Sequence, residues 1–141
     1  MNIKPHAVAL LVGCALLSRP AHAKSTVELE WSYDQVWSAA MRFVRVDRAC
    51  KVVDKDDGAA FIVFECEGEP GKPPRRGSLE LYKIELRGRM AVRAQVTLNE
   101  EPRYVELRFL ELLERKLREE RGPPPSSPVT RPPPPKPDGG V

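Results

Sequence analysis

Apolar and polar positions change rhythm along this chain, and each rhythm predicts an element. Residues 90–98, MAVRAQVTL, alternate: Met90, Val92, Ala94, Val96 and Leu98 fall on one side, Arg93, Gln95 and Thr97 on the other. A period of two is that of a strand with one face in a core. Residues 33–46 follow the helical period instead. Tyr33, Val36, Trp37, Ala40, Met41, Phe43 and Val44 gather on one face, Asp34, Gln35, Ser38, Arg42 and Arg45 on the other. Ser32-Tyr33-Asp34-Gln35 reads as a capping box, with Ser32 as N-cap and Gln35 at N3. Trp31 and Val36 then form the staple around the cap, so the tryptophans read as core. A second helical stripe, Val105, Phe109, Leu112, Leu113 and Leu117 with Leu110 at its edge, predicts a helix over about 103–121. Glu111–Arg115, Glu114–Arg118 and Arg115–Glu119 are spaced to pair along its solvated face. Gly122 and Pro123 end it.

Between the helices lie further strands. In residues 50–66, CKVVDKDDGAAFIVFEC, the residues Cys50, Val52, Ile62, Phe64 and Cys66 share one face if two strands pair around Asp57-Gly58. Asp-Gly is a strong hairpin signal because glycine adopts positive φ without strain. Val53, Phe61 and Val63 fall on the reverse face, so the hairpin is expected to be central and partly covered on both sides. Residues 68–77 predict a loop, and 78–86, SLELYKIEL, a third strand. Its apolar parity switches between Leu81 and Tyr82, which predicts a bulge or bend. A turn at Gly88-Arg89 leads into the strand at 90–98. TVELEW, before the first helix, alternates and predicts a short edge strand. The fold class is therefore α+β: an antiparallel four-stranded meander sheet, with an N-terminal edge strand as a fifth, packed by an N-terminal helix and a long C-terminal helix.

The two ends differ from this middle. Residues 1–23, MNIKPHAVALLVGCALLSRPAHA, have a basic start at Lys4 and an apolar run from Ala7 to Leu17, too short to span a bilayer. Ala21-His22-Ala23 fits the small-x-small rule of signal peptidase, so 1–23 read as a signal peptide cleaved after Ala23. A competing motif, Leu11-Val12-Gly13-Cys14, matches a lipobox in which Cys14 would be lipidated. The expected location is periplasmic or secreted, or the outer membrane if Cys14 carries lipid; membrane association is expected only in that case. Residues 123–141 hold nine of the 15 prolines and almost nothing apolar. Such a segment cannot bury enough surface to offset chain ordering, so 122–141 are expected to form a disordered Pro-rich tail. Its PxxP spacings, Pro125 to Pro128 and Pro132 to Pro135, would suit a tether. One domain, 24–121, remains.

Composition then narrows the chemistry. Both histidines, His6 and His22, leave with the signal, so the mature chain lacks His-dependent triads and His-ligated metal sites. No motif calls for a catalytic residue, a cofactor or a metal. Of 23 Lys and Arg, Lys4 and Arg19 are also removed; 21 remain against 20 acids, a net charge of +1. Such a chain has no strong overall field, and nucleic acid is not an expected partner. The loop cations Lys72, Arg75 and Arg76 read as solvated. Glu–Asp spacings on the strands demand no acid–base work.

Three segments, YDQVWSAAMRFVR, VVDKDDGAAFIVFE and VELRFLELLERKLREERG, together resemble the C-terminal repeats of BamC-like outer-membrane assembly lipoproteins and other small exported helix-grip domains. The resemblance spans most of 31–121. It implies a non-catalytic interaction domain in the bacterial envelope and carries over no functional residue. The chain departs from BamC in having one such domain rather than two, and in Cys50 and Cys66. In an oxidising compartment those two cysteines are candidates for a structural disulfide, with two buried free thiols as the alternative. Metal would need further His or Cys ligands, and redox exchange usually uses Cys-x-x-Cys spacing. The functional expectation is a protein-interaction module with an envelope protein partner. The alternative is a carrier of a small apolar ligand or lipid, held between helix and curved sheet.

Overall fold

Ser32 opens the first helix as the capping box predicts. In the computed structural model, which describes residues 24–125, the Gln35 N–H donates to Ser32 Oγ at 3.4 Å and the Ser32 N–H to Gln35 Oε1 at 3.2 Å. Trp31 and Val36 are both buried around this cap. The helix α1 spans Tyr33–Arg42 and continues as a π-helical segment, Phe43–Asp47, closed by an Arg48 N–H to Phe43 C=O bond of 2.9 Å. The signal peptide with its cleavage after Ala23, the lipobox Cys14 and the tail beyond Pro125 lie outside the described residues.

Five strands follow the predicted alternations: β1 Ser25–Leu29, β2 Lys51–Asp56, β3 Phe61–Cys66, β4 Arg75–Leu86 and β5 Arg89–Leu98. They form one antiparallel sheet in the order β1-β5-β4-β3-β2. The second helix, α2, spans Arg103–Arg121 and ends at Gly122, whose N–H donates to the Arg118 C=O. Alternation sends Leu29, Ile62, Phe64, Leu79, Leu81, Val92, Ala94 and Val96 to the helical side, where all are buried. Phe109, Leu110, Leu113 and Leu117 of α2 and Val36, Ala39 and Ala40 of α1 close that core. The Phe109 ring stacks on Phe64 at 5.5 Å and meets Phe43 edge-on at 5.0 Å. Such pairs each contribute about 0.5–1.5 kcal/mol beyond their burial. A Cβ at Gly77 would stand 2.8 Å from the Phe64 ring and 2.7 Å from Leu98, so only glycine lets β4 approach this cluster.

Several expectations are corrected. The β2–β3 hairpin is not central: β3 lies inside the sheet, but β2 is its edge and is largely exposed. The hairpin turn is four residues long, because Asp56 Oδ1 accepts the Ala59 N–H at 2.8 Å and Ala60, not Gly58, takes positive φ, at 60°. The bulge falls in β2, between Val52 and Asp54, and β4 runs in unbroken register with β5. The parity switch in β4 has another cause: Tyr82 and Ile84 turn to the sheet's outer face, and Lys83 takes the helical side with its ammonium 4.4 Å over the Tyr33 ring. Strand β4 also starts at Arg75, opposite Cys66, which shortens the predicted loop. The β4–β5 turn is Arg87-Gly88, with φ of 52° and 75°, the pair of positive angles that a two-residue turn requires. Met90 shares the face of Val92 but sits at the hairpin tip and is 68% exposed. Leu110, expected at the edge of its stripe, is inside the core.

Candidate functional site

The two cysteines come together through a sharp exit from the π-helical segment. Ala49 adopts a φ of 50°, and the Cys50 N–H donates to the Val44 C=O at 2.9 Å. This turns Cys50 toward the end of β3. Cys50 and Cys66 form a disulfide, with Cα atoms 4.2 Å apart. It braces the open end of the β2–β3 hairpin, the end opposite its turn. The bridge separates two surface recesses.

On the Cys66 side a cleft of about 170 Å³ lies between α2 and the β3–β4 end. Phe64, Leu98, Val105 and Phe109 floor it, and Arg48 and Arg75 stand at its rim. Arg48 sits 5.9 Å above the Phe109 ring, and Arg75 bonds Glu101 at 2.7 Å. Further along α2, a recess of about 270 Å³ lies against Phe43, Asp47 and Leu112. There Lys116 bonds both Asp47, at 3.0 Å, and Glu120, at 3.3 Å, and Arg42 reaches Glu120 at 3.2 Å. The bond to Asp47 is the main reason the Lys116 pKa is raised; Glu120 adds to it, and partial desolvation works against it. The solvated face predicted for α2 is thus also a seam that ties the two helices together. Of its predicted pairs, Glu114–Arg118 and Arg115–Glu119 form, at 2.9 and 3.9 Å, while Glu111 bonds Arg108 instead of Arg115.

On the Cys50 side a groove of about 460 Å³ lies between the helical wall of Met41 and Arg45 and the strand wall of Lys51, Val52 and Lys55. Sequence reasoning missed it. Its cations come from separate elements, and only the π-helical exit and the edge position of β2 gather them. The loop cations that the sequence did single out are neutralised: Lys72 by Glu69, Arg75 by Glu101 and Arg76 by Glu65.

The outer face of the sheet carries cross-strand polar pairs. Arg93 bonds Glu28 at 2.8 Å. Glu80 accepts from Gln95 Nε2 at 3.3 Å and from the Tyr82 hydroxyl, and that second bond raises the Tyr82 pKa. Gln95, on the polar side of the alternation, is buried on this face. At the start of α1, burial first and the neighbouring Asp57 next push the Tyr33 phenol up to about 12. Glu106 of α2 joins helix to sheet: it accepts from Ser25 Oγ at 2.6 Å and from the Leu98 N–H at 2.9 Å.

No helix among the described residues is long and apolar enough to cross a membrane. No protein-family model matches the chain, and no curated protein matches it significantly. Among solved structures, CalU16 from Micromonospora echinospora is similar over 73% of this chain and 74% of that one, at 16% identity and a TM-score of 0.48. A similarity of that size bears on neither mechanism nor partner.

Proposed function

We propose that the protein is exported, to the periplasm or beyond the cell, and that its α+β domain is a non-catalytic protein-interaction module of the bacterial envelope. The observation that carries this reading is the disulfide-braced β2–β3 hairpin at the sheet edge, a surface strand with an open recess on either side of the bridge. A disulfide suits an oxidising compartment. The signal-like residues 1–23 and the BamC-like pattern of 31–121 support the same location and role.

The alternative, a carrier of a small apolar ligand, draws on the aromatic-floored cleft beside Cys66. Its volume of about 170 Å³ suits one ring-sized group. Ligand pockets generally run to about 300–1,000 Å³. Phe43, Phe64 and Phe109 fill the space a larger ligand would need.

The reading is tested by photo-cross-linking in intact envelopes, with the probe placed at Val53 or Val46, both exposed. A discrete adduct with an envelope protein is expected, with no lipid in native mass spectra. Co-purified lipid and no adduct would favour the carrier. Turnover of a substrate by the purified protein would end the non-catalytic reading.

A further inference from the structure

The groove between α1 and β2 stands apart from the other charged regions described. Its lining contains Arg45, Lys51 and Lys55 and no carboxylate. A second open recess of about 440 Å³, bounded by Met41, Arg42, Arg45 and Val46, shares Met41 and Arg45 with it and also lacks acids. Arg42 is engaged by Glu120, but Arg45, Lys51 and Lys55 make no ion pair among the described residues.

Two acids of β2 are engaged in local main-chain bonds. Asp54 accepts the Lys55 N–H at 2.8 Å, and Asp56 closes the hairpin turn. By register these two oppose Val63 and Phe61 on the outer face; Lys51, opposite Glu65, starts from that same face and borders the groove from its rim, while Lys55, opposite Ile62, lies on the helical side. Glu65, across from Lys51, is bonded to Arg76. Like charges held together without counter-charges oppose folding, so they contribute nothing to the domain's own stability. Two further features share the site. Met41 and Val52 are half-buried, and Val46 is 69% exposed, so apolar surface lies among the cations. Strand β2 is the sheet edge, with one row of backbone groups unpaired by any described strand.

We propose that this groove takes an extended, acidic peptide segment of a partner protein, added as a strand to the free edge of β2. The proposal rests on the interaction-module reading and names the partner's chemistry. Main-chain bonds to the edge would hold the segment, and its carboxylates would meet Arg45 and Lys55 on the helical side and Lys51 at the rim. One apolar side chain would cover Met41, Val46 and Val52. The bulge between Val52 and Asp54 interrupts the edge, so the added strand is short and charge sets much of its affinity. An anionic bilayer would meet the same cations. A flat surface cannot enter a groove, however, and lipid headgroups have no use for an open strand edge. The net charge of the chain hides this patch, because acids elsewhere cancel it.

The test is a fluorescence-anisotropy titration of the full chain with an acidic, strand-forming peptide of about ten residues of Glu, Thr and Val. A backbone N-methylated copy and phosphatidylglycerol vesicles are titrated in parallel. The peptide is expected to bind with a micromolar Kd, about tenfold weaker when salt rises from about 0.05 to about 0.5 M. The triple variant Arg45→Glu, Lys51→Glu, Lys55→Glu should weaken binding at least about tenfold, and N-methylation should do the same. A control with the same charge change on α2, Arg103→Glu, Arg108→Glu, Arg121→Glu, should keep binding within about twofold. Equal binding of the N-methylated copy, equal loss in the control, or binding of vesicles but not peptide would each overturn the proposal. If the groove variant still gives the wild-type cross-link in envelopes, the acidic-strand proposal fails and the interaction module stands. If the wild-type protein gives no cross-link at all, the broader reading fails.

Discussion

The two flanks of the Cys50–Cys66 bridge use the same kinds of side chain and end in opposite electrostatic states. Along α2, Lys116 is shared by Asp47 and Glu120, Arg42 joins them, and Arg75 holds Glu101. Beneath these pairs the Phe43–Phe64–Phe109 cluster is packed and buried. Across the bridge, Arg45, Lys51 and Lys55 line a groove without a carboxylate. The first flank is arranged for stability within the chain. The second leaves its charge unmatched, which is what a surface awaiting an outside partner requires. The disulfide is common to both, because it fixes the strand end from which each recess is built.

The contrast can be broken most severely at Phe109. Phe109→Ala removes a ring buried between Phe43 and Phe64, and a loss of about 3–5 kcal/mol in denaturant unfolding is expected. A loss below about 1 kcal/mol would mean the cluster is not the structural core described. Next comes the bridge. Replacing both cysteines, Cys50→Ala with Cys66→Ala, opens a loop with a sequence separation of 16. The chain-entropy argument gives roughly 3 kcal/mol, and the restraint already imposed by the hairpin should reduce it to about 2 kcal/mol. Reductant should destabilise the wild-type protein by the same amount and leave the double variant unchanged.

Smaller effects sharpen the comparison. Lys116→Met should destabilise the fold, since it leaves Asp47 and Glu120 without their shared cation. Lys55→Met should change stability by no more than about 0.5 kcal/mol, and any change should favour the variant. Equal losses at the two positions would erase the distinction between the flanks. An effect confined to alkaline solution is a pH dependence at Tyr33. Its folded pKa is raised from 10.0 to about 12, so the folded state holds the phenol proton more tightly than the unfolded state. The stabilisation is complete below about pH 10 and is lost as pH rises toward 12. Tyr33→Phe should flatten that alkaline fall in thermal melts.

Much of the fold was legible because its signals are local. The Ser32–Gln35 box, the alternation from Val92 to Leu98 and the stripe from Val105 to Leu117 each depend on neighbours a few residues apart. The shared face of Cys50 and Cys66 is not local in this sense: without the bulge at Val53, the pairing of Asp54 with Val63 would put Lys51, not Cys50, opposite Cys66. The signals failed where a distant element decided the outcome. Nothing local in Lys51–Asp56 says that no strand lies beyond it, and so β2 was expected to be covered. Tyr82 and Ile84 looked like a bulge because an apolar side chain on the outer face has the same sequence signature as a register slip. Val53 is the bulge residue itself, and only its partner strand reveals that. The groove was the least legible feature. Its cations fall on no single periodic face, and an overall charge near neutrality gave no reason to look for them.

The most direct test of the central claim, an exported domain closed by the Cys50–Cys66 bridge, is the intact mass of the protein isolated from its own envelope fraction, with and without reduction and alkylation. The expected result is a chain beginning at Lys24 that is lighter by two hydrogens before reduction and takes up two alkyl groups only after it. A full-length chain with three freely alkylatable thiols would contradict both the export and the bridge.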